Sequence, residues 1–174
     1  MTLNKKMVCI LFLILMVFVT TVTYVCSRNI VSKNLIEDGN IYMNKSQYKE
    51  AIAIYREALK YNKNNNTENM LKLAETMERS KTAYNRGIIN YKKKNYLEAI
   101  NCFQMVFNKD TIRYENSQNK LNECVNKYVE ENMEQAQKYI NDLNFKEAEK
   151  YLNNILKIDS DNEKAIRLKK KIIS

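Results

Sequence analysis

Gly39-Asn40-Ile41-Tyr42 followed by Tyr48-Lys49-Glu50-Ala51-Ile52, and then by Tyr55 and Ala58, decides the fold, because the chain carries it three times. Sliding the sequence by 48 or 49 positions brings up the other copies. Gly87-Ile88-Ile89-Asn90 precedes Tyr96-Leu97-Glu98-Ala99-Ile100, Phe103 and Val106. Ala136-Gln137-Lys138-Tyr139 precedes Phe145-Lys146-Glu147-Ala148-Glu149, Leu152 and Ile155. In each copy a Gly or Ala lies twelve residues before the Ala of an aromatic-x-Glu-Ala unit, and core positions follow that Ala by four and seven. Spacings of three and four keep side chains on one helix face. Small residues at 39, 87 and 136 allow a second helix to approach closely, and Tyr55, Phe103 and Leu152 fill the space between the pair. The links are short and polar: Asn44-Lys45-Ser46, Lys94-Asn95 and Asp142 to Asn144. Each copy is therefore a helical hairpin that cannot bury its apolar face alone and must stack on its neighbours.

Composition agrees and excludes much else. The 174 residues include two glycines, no proline, no histidine, no tryptophan and four cysteines, with a formal charge of +9. Scarce Gly and Pro leave little to build tight turns, and argue against a β-sandwich or a doubly wound nucleotide fold. Without histidine there is no Ser-His-Asp triad and no His-ligated zinc, and two glycines make no phosphate loop. The chain is expected to be non-catalytic, with no cofactor, no metal and no small-molecule substrate. Its 23 lysines, 6 arginines and 25 asparagines follow AT-rich coding, so the charge by itself is weak support for a nucleic-acid partner.

The repeat resembles the tetratricopeptide repeat family, whose unit has a small residue eighth, Tyr eleventh, Ala twentieth, Phe or Tyr twenty-fourth, Ala twenty-seventh and Pro thirty-second. Gly39, Tyr42, Ala51, Tyr55 and Ala58 match in the first copy. Gly87, Ala99 and Phe103 match in the second, where Asn90 replaces the Tyr, and Ala136, Tyr139 and Ala148 match in the third, where Leu152 replaces the aromatic. The resemblance implies an all-α, TPR-like α-solenoid of three hairpins, with repeats at about 32–65, 80–113 and 129–162 and a capping helix at 161–174. It also implies a concave groove, lined by the first helices, that holds a protein or peptide partner. The groove set is Asn40, Met43, Asn44, Tyr84, Ile88, Tyr91, Lys92, Gln137, Ile140 and Asn141. One variant of the family clamps a terminal carboxylate with Lys and Asn, but Ile36 stands where its first Lys would be.

Two departures from the family are informative. Lys63, Thr111 and Ser160 stand in place of the prolines, so Asn, Asp, Thr and Ser must cap the helices. The period exceeds the family's 34, and the surplus precedes the first helix of copies two and three. The stripe Met70, Ala74, Met77, Lys81, Tyr84, Ile88, Tyr91 predicts one long helix near 67–93; Leu121, Val125, Tyr128, Met133, Ala136, Ile140 and Leu143 predict another near 112–142. The matching extension in copy one is residues 19–45. It overlaps Met7 to Ser27, a run of 21 residues without a charge, about 31 Å long as a helix and close to a bilayer's hydrocarbon thickness.

Behind a short basic N-terminus (1–6), residues 7–27 are expected to be a single transmembrane signal anchor, with the domain 28–174 outside the cytoplasm and repeat one within roughly 20 Å of the bilayer. Cleavage after Ser27, giving a secreted protein, is the alternative, and Cys26 as a lipidation site is the weakest reading. With no Gly or Pro between Ser27 and Asp38, the anchor is expected to run directly into the first repeat helix. Cys9 and Cys26 are expected to pack within the apolar run, and Cys102 and Cys124 to be buried, with Cys124 about 10 Å further along than the position opposite Cys102 and so too far for a disulfide. Lys92-Lys93-Lys94 and Lys169-Lys170-Lys171 are expected in the last turns of helices, complementing the dipole. Glu50, Glu98 and Glu147 are expected to cap or pair at helix starts, and Asp159 or Ser160 to cap the last helix. The best-supported function is a membrane-anchored scaffold or adaptor. The alternatives are a self-assembling, homo-oligomeric component and a basic module for nucleic acid or anionic lipid.

Overall fold

The computed structural model describes residues 5–173; of the expected basic N-terminus, residues 1–4 and the side chains of residues 5 and 6 lie outside the described part, as does Ser174. Among the described residues the regular structure is all helix: α1 (Lys5–Asn44), α2 (Tyr48–Tyr61), α3 (Asn65–Lys92), α4 (Tyr96–Gln104), α5 (Tyr114–Asn141), α6 (Phe145–Ile158) and α7 (Glu163–Ile173). The long first helices expected near 67–93 and 112–142 correspond to α3 and α5. The 40-residue α1 is unbroken from the apolar run to the end of the first repeat helix, in keeping with the absence of Gly and Pro between Ser27 and Asp38. By length and composition it is apolar enough to cross a membrane, and the apolar stretch is not buried against the rest of the chain. Cys9 and Cys26 are correspondingly exposed rather than packed.

The chain divides into two compact units, Met1–Glu78 and Arg79–Ser174, with α3 contributing to both. In the first unit α1 and α2 form a hairpin whose core is Ala51, Tyr55 and Ala74, with Tyr42, Met43, Ile52, Met70 and Leu71 packed around it. The Arg56 guanidinium reaches Glu75 at 2.6 Å across the α2–α3 surface. The second unit holds two clusters. One is built on Ala99, Ile100, Phe103 and Cys124, the other on Met133, Ala136, Leu152, Ile155 and Ala165. Cys102 and Cys124 are buried free thiols, as expected. Burial pushes the Cys124 thiol up to about 11.

The small residues sit where they were expected. A Cβ added to Gly39 would lie 2.4 Å from Tyr55 Cε1, and one added to Gly87 would lie 2.5 Å from Phe103 Cε1. In the third hairpin Ala136 and Leu152 share a cluster, both fully buried.

Tight turns form without glycine, contrary to the expectation from composition. After α1 the Ser46 N–H donates to Met43 O and the Gln47 N–H to Tyr42 O; the same pair of bonds closes α3 through Lys94 and Asn95, and α5 through Leu143 and Asn144. These are Schellman closures, which place the first linker donor in the left-handed region. Ser46, Lys94 and Leu143 hold φ of 55°, 60° and 56°. Leu143, expected on the buried stripe, is 76% exposed because it occupies that turn. Lys93 and Lys94 likewise lie beyond the end of α3, so only Lys92 belongs to its last turn.

Asparagine carries much of the capping. Asn64 Oδ1 accepts from the Thr67 N–H at 2.8 Å, and Asn144 Oδ1 from the Glu147 N–H at 3.3 Å. At α7 the cap is Asn162, whose Oδ1 accepts from the Ala165 N–H at 3.0 Å, not Asp159 or Ser160. Asp159 instead accepts from the Asn162 amide at 2.8 Å and orients it. Glu147 pairs with Lys150 at 3.5 Å. Glu50 and Glu98 stand exposed in the first turns of α2 and α4, where their charge suits the dipole.

One element is shorter than its period suggests. α4 ends at Gln104, leaving buried Val106 in the following loop. Ser80 Oγ takes the Phe107 N–H at 3.0 Å and donates to the Asp110 carboxylate at 2.7 Å. Arg113 pairs with Asp110 at 2.9 Å, and the Asp110 carbonyl accepts from the Tyr114 N–H at the start of α5. Asp110 is fully buried, and this clasp replaces the last turn that α4 lacks.

Candidate functional site

The expected groove residues fall on the ends of the three first helices, and the two units present them separately. In the first unit, Asn40 is half-buried and its side-chain oxygen accepts from the Tyr55 hydroxyl at 2.7 Å. Met43 packs on the Tyr55 cluster, and Asn44 is exposed at the last position of α1. Asn40 thus helps to lock the hairpin.

In the second unit, Tyr84, Ile88 and Tyr91 are half-buried against the Phe103 cluster. The Tyr84 ring meets Phe103 edge-on at 6.2 Å, and its hydroxyl donates to Asn116 on α5 at 3.1 Å. The Tyr91 hydroxyl donates to Glu123, also on α5, and the Lys120 ammonium lies 4.3 Å from the Tyr91 ring centre. Lys120 also pairs with Glu123 at 2.8 Å. This triad shifts its members in a consistent direction. Lys120 first, and then the Tyr91 hydroxyl, holds the Glu123 carboxyl below its ordinary value; the bond to Glu123 raises both Tyr91 and Lys120. The three apolar and aromatic members of α3 therefore join adjacent first helices. Lys92 remains exposed.

On α5, Gln137 is exposed and its amide donates to Asn141 at 3.1 Å; Ile140 is half-buried and Asn141 exposed. Gln137 lines a cleft of about 540 Å³ between α5 and the start of α7. Val129 and Met133 form its apolar part; Asn126, Glu130, Glu134 and Gln137 complete the α5 wall, with Asp159, Asn162 and Lys164 opposite. The α5 carboxylates give this cleft a local sign opposite to that of the chain. A more apolar cleft of about 440 Å³ lies between α6 and α7, lined by Leu156, Ile166, Lys169, Lys170 and Ile173. Lys169 is tied to α6, reaching Asn153 at 2.7 Å and Glu149 at 3.5 Å.

The first hairpin decides the family comparison. Residues 39–65 match the family model of the tetratricopeptide repeat. The match opens on Gly39 and takes in Tyr42, Ala51, Tyr55 and Ala58. No curated protein and no solved structure matches the chain. Tetratricopeptide repeats are in general protein–protein interaction modules and are typically non-catalytic. Among the described residues no group of three or more His, Cys, Asp or Glu side chains is arranged to hold a metal ion.

Sequence reasoning missed Ser32 and Ser80. Both are buried, both lie seven residues before the repeat glycine, and they are 48 apart. Ser32 Oγ donates to Ala58 O at 3.1 Å, so each serine ties a first helix to the end of the second. The shared period was a legible signal; the buried polar pairing was not. Arg28, the charge that directly follows the apolar run, is engaged as well, donating to Tyr61 O, Lys60 O and the Tyr24 hydroxyl.

Proposed function

We propose that this chain is a membrane-anchored, non-catalytic adaptor. Residues 7–27 act as a single-pass anchor, and the repeats within 28–174 hold a segment of a protein partner against the first helices, outside the cytoplasm. The observation that carries the reading is the cleft along α5. It is preformed, near the size of small binding sites, and contains Gln137 of the expected groove. Its apolar floor of Val129 and Met133 beside Glu130 and Glu134 suits a partner segment that alternates apolar and basic residues. The other groove residues have narrower roles in this reading. Asn44, Lys92, Ile140 and Asn141 offer contact surface, while Asn40, Met43, Tyr84, Ile88 and Tyr91 set the helix packing behind it.

The test is a photo-reactive residue at Gln137 or at exposed Asn101, with the full chain in its native membrane. A discrete adduct at 137, absent at 101 and lost in Glu130→Lys/Glu134→Lys, supports the adaptor reading. Equal labelling at both positions refutes it. An adduct made of two copies of this chain favours self-assembly. Protease access to Lys92–Lys94 from outside intact cells tests the sidedness.

A further inference from the structure

Arg28 is the first residue after the uncharged run Met7 to Ser27. Its guanidinium does not extend freely. Nε donates to Tyr61 O at 3.0 Å, one terminal nitrogen donates to Lys60 O, and the other donates to the Tyr24 hydroxyl at 3.1 Å. The same group lies 5.7 Å from the Tyr24 ring centre and 5.6 Å from that of Tyr61. One turn further along α1, Ser32 takes the Ala58 carbonyl. Three carbonyls at the end of α2 are thus held by two side chains of α1. Guanidinium groups suit this task, since they stack on aromatic faces while donating in several directions.

The position matters as much as the contacts. The helix rises about 1.5 Å per residue, so the end of α2 is pinned within a few ångströms of where the apolar run stops. The interfacial layer of a bilayer adds roughly 5–7 Å on each side of the hydrocarbon. Tyrosine and arginine are residues that settle in that layer. Tyr24 and Tyr61 are 62% and 36% exposed, so both rings keep a face free for it. Lys63, in the turn between α2 and α3, is exposed at the same end of the hairpin.

We propose that Tyr24, Arg28 and Tyr61 form a clamp that seats the first hairpin in the phospholipid headgroup layer. The end of α2 and the turn 62–64 lie against the headgroups, and α1 passes from hydrocarbon to repeat as one rigid element. The proposal rests on residues 7–27 being a membrane anchor. It makes the bilayer surface a binding partner of the first repeat, and it makes Tyr24 part of the folded domain although it lies within the apolar run.

The chain has no tryptophan, so one introduced tryptophan reports depth without background. The full chain is reconstituted in phosphatidylcholine vesicles containing lipids with a nitroxide on the headgroup or in the mid-acyl chain. Phe18→Trp reads the anchor and is expected to be quenched by the acyl-chain nitroxide. Lys63→Trp reads the clamped turn and is expected to be quenched by the headgroup nitroxide at least twofold more than Ile41→Trp. Position 41 stands thirteen residues beyond Arg28, about 20 Å along α1. Adding Arg28→Gln to Lys63→Trp is expected to remove that excess while leaving Phe18→Trp unchanged. Lys63→Trp no more quenched than Ile41→Trp, with Phe18→Trp still quenched, overturns the seat and leaves the anchor standing. Headgroup quenching that survives Arg28→Gln overturns the clamp. An unquenched Phe18→Trp overturns the anchor, and the proposal with it.

Discussion

Gly87→Ala tests whether the repeats are specified by paired sizes. The new methyl would stand 2.5, 2.7 and 2.9 Å from three atoms of the Phe103 ring, where ordinary contact needs about 3.5–4.0 Å. Phe103 is fully buried, and the edge of Tyr84 lies at its side. The ring must shift by close to 1 Å with little room to do so. Overpacking costs about 1–3 kcal/mol, and a rigid ring with three short contacts belongs at the upper end. Alanine's helix propensity returns about 0.8–1.0 kcal/mol, leaving a net loss of about 2 kcal/mol. Phe103→Leu alone should cost about 1–1.5 kcal/mol through underpacking. The double variant recreates the Ala136–Leu152 pairing of the third hairpin. The methyl then fills space that the ring vacated, so the double should lie within about 0.5 kcal/mol of the parent, where additivity gives a loss of about 3 kcal/mol. The assay is urea unfolding of the full chain in detergent, followed by helical circular dichroism, for all four corners of the cycle. A double variant as unstable as the sum of the singles would refute size pairing, and would mean that Gly87 is there for its backbone. The reciprocal change, Ala136→Gly with Leu152→Phe, should be tolerated better than Leu152→Phe alone.

Leu143→Gly should stabilise the chain by up to about 1 kcal/mol, because a left-handed residue with a Cβ costs about 1–2 kcal/mol and glycine gives back part of that as chain entropy; a lower melting temperature would contradict the Schellman assignment. Asp110→Ala should destabilise the second unit by about 3–5 kcal/mol, as it removes the fully buried carboxylate that pairs with Arg113 and accepts from Ser80; amide exchange of Phe107 and Tyr114 should accelerate with it. The triad of Tyr91, Lys120 and Glu123 should support stability between about pH 5 and 9. Glu123 is shifted below 4.5, so its share is lost as pH falls through that lowered value; Tyr91 is shifted above 10.0, so its share is lost as pH rises through that raised value. The melting-temperature gap between the parent and Glu123→Gln should therefore close in acid, and a gap that widens there would reject the assignment. At pH 8 Cys124 should resist thiol reagents until the chain unfolds. Its value of about 11 leaves about one thiol in a thousand ionised, and burial blocks access; labelling in the native state as fast as in urea would show an open core.

Most of the fold was legible because it depends on spacing. Gly39, Gly87 and Ala136 with Tyr55, Phe103 and Leu152 define a periodic contact, and a periodic contact is visible in one sequence. The unbroken α1 was legible for a related reason, since nothing between Ser27 and Asp38 can break a helix. What stayed hidden was local or aperiodic. The turns at Ser46, Lys94 and Leu143 share a conformation without sharing a residue type, and neither Lys nor Leu signals a left-handed turn. The Ser80–Asp110–Arg113 clasp occurs in one hairpin, so no period exposes it. The groove was legible as a set of positions but not as roles. Tyr84 and Tyr91 carry hydroxyls long enough to reach Asn116 and Glu123 on the next helix, and that reach depends on how α3 packs on α5.

The extended first helices explain why the period is longer than the family's. A first helix of ordinary length could pair with its own second helix and little more. In the second unit the added turns of α5 carry Asn116 and Glu123, the residues that meet Tyr84 and Tyr91 of α3, so the extension is the surface that joins one repeat to the next. In the first hairpin the matching turns are the part of α1 that runs back into the apolar stretch. There they hold Tyr24 and Arg28 at the end of an apolar run that the other described residues leave uncovered. An array of stacked hairpins needs each terminal face protected from water or from further stacking. α7 carries a polar outer face of that kind, with Glu163, Lys164, Arg167, Lys170 and Lys171 exposed around buried Ala165. On the proposed anchor reading, the corresponding extension of α1 is the element that would carry the first repeat to the bilayer, as the extension of α5 carries one repeat to the next in the second unit.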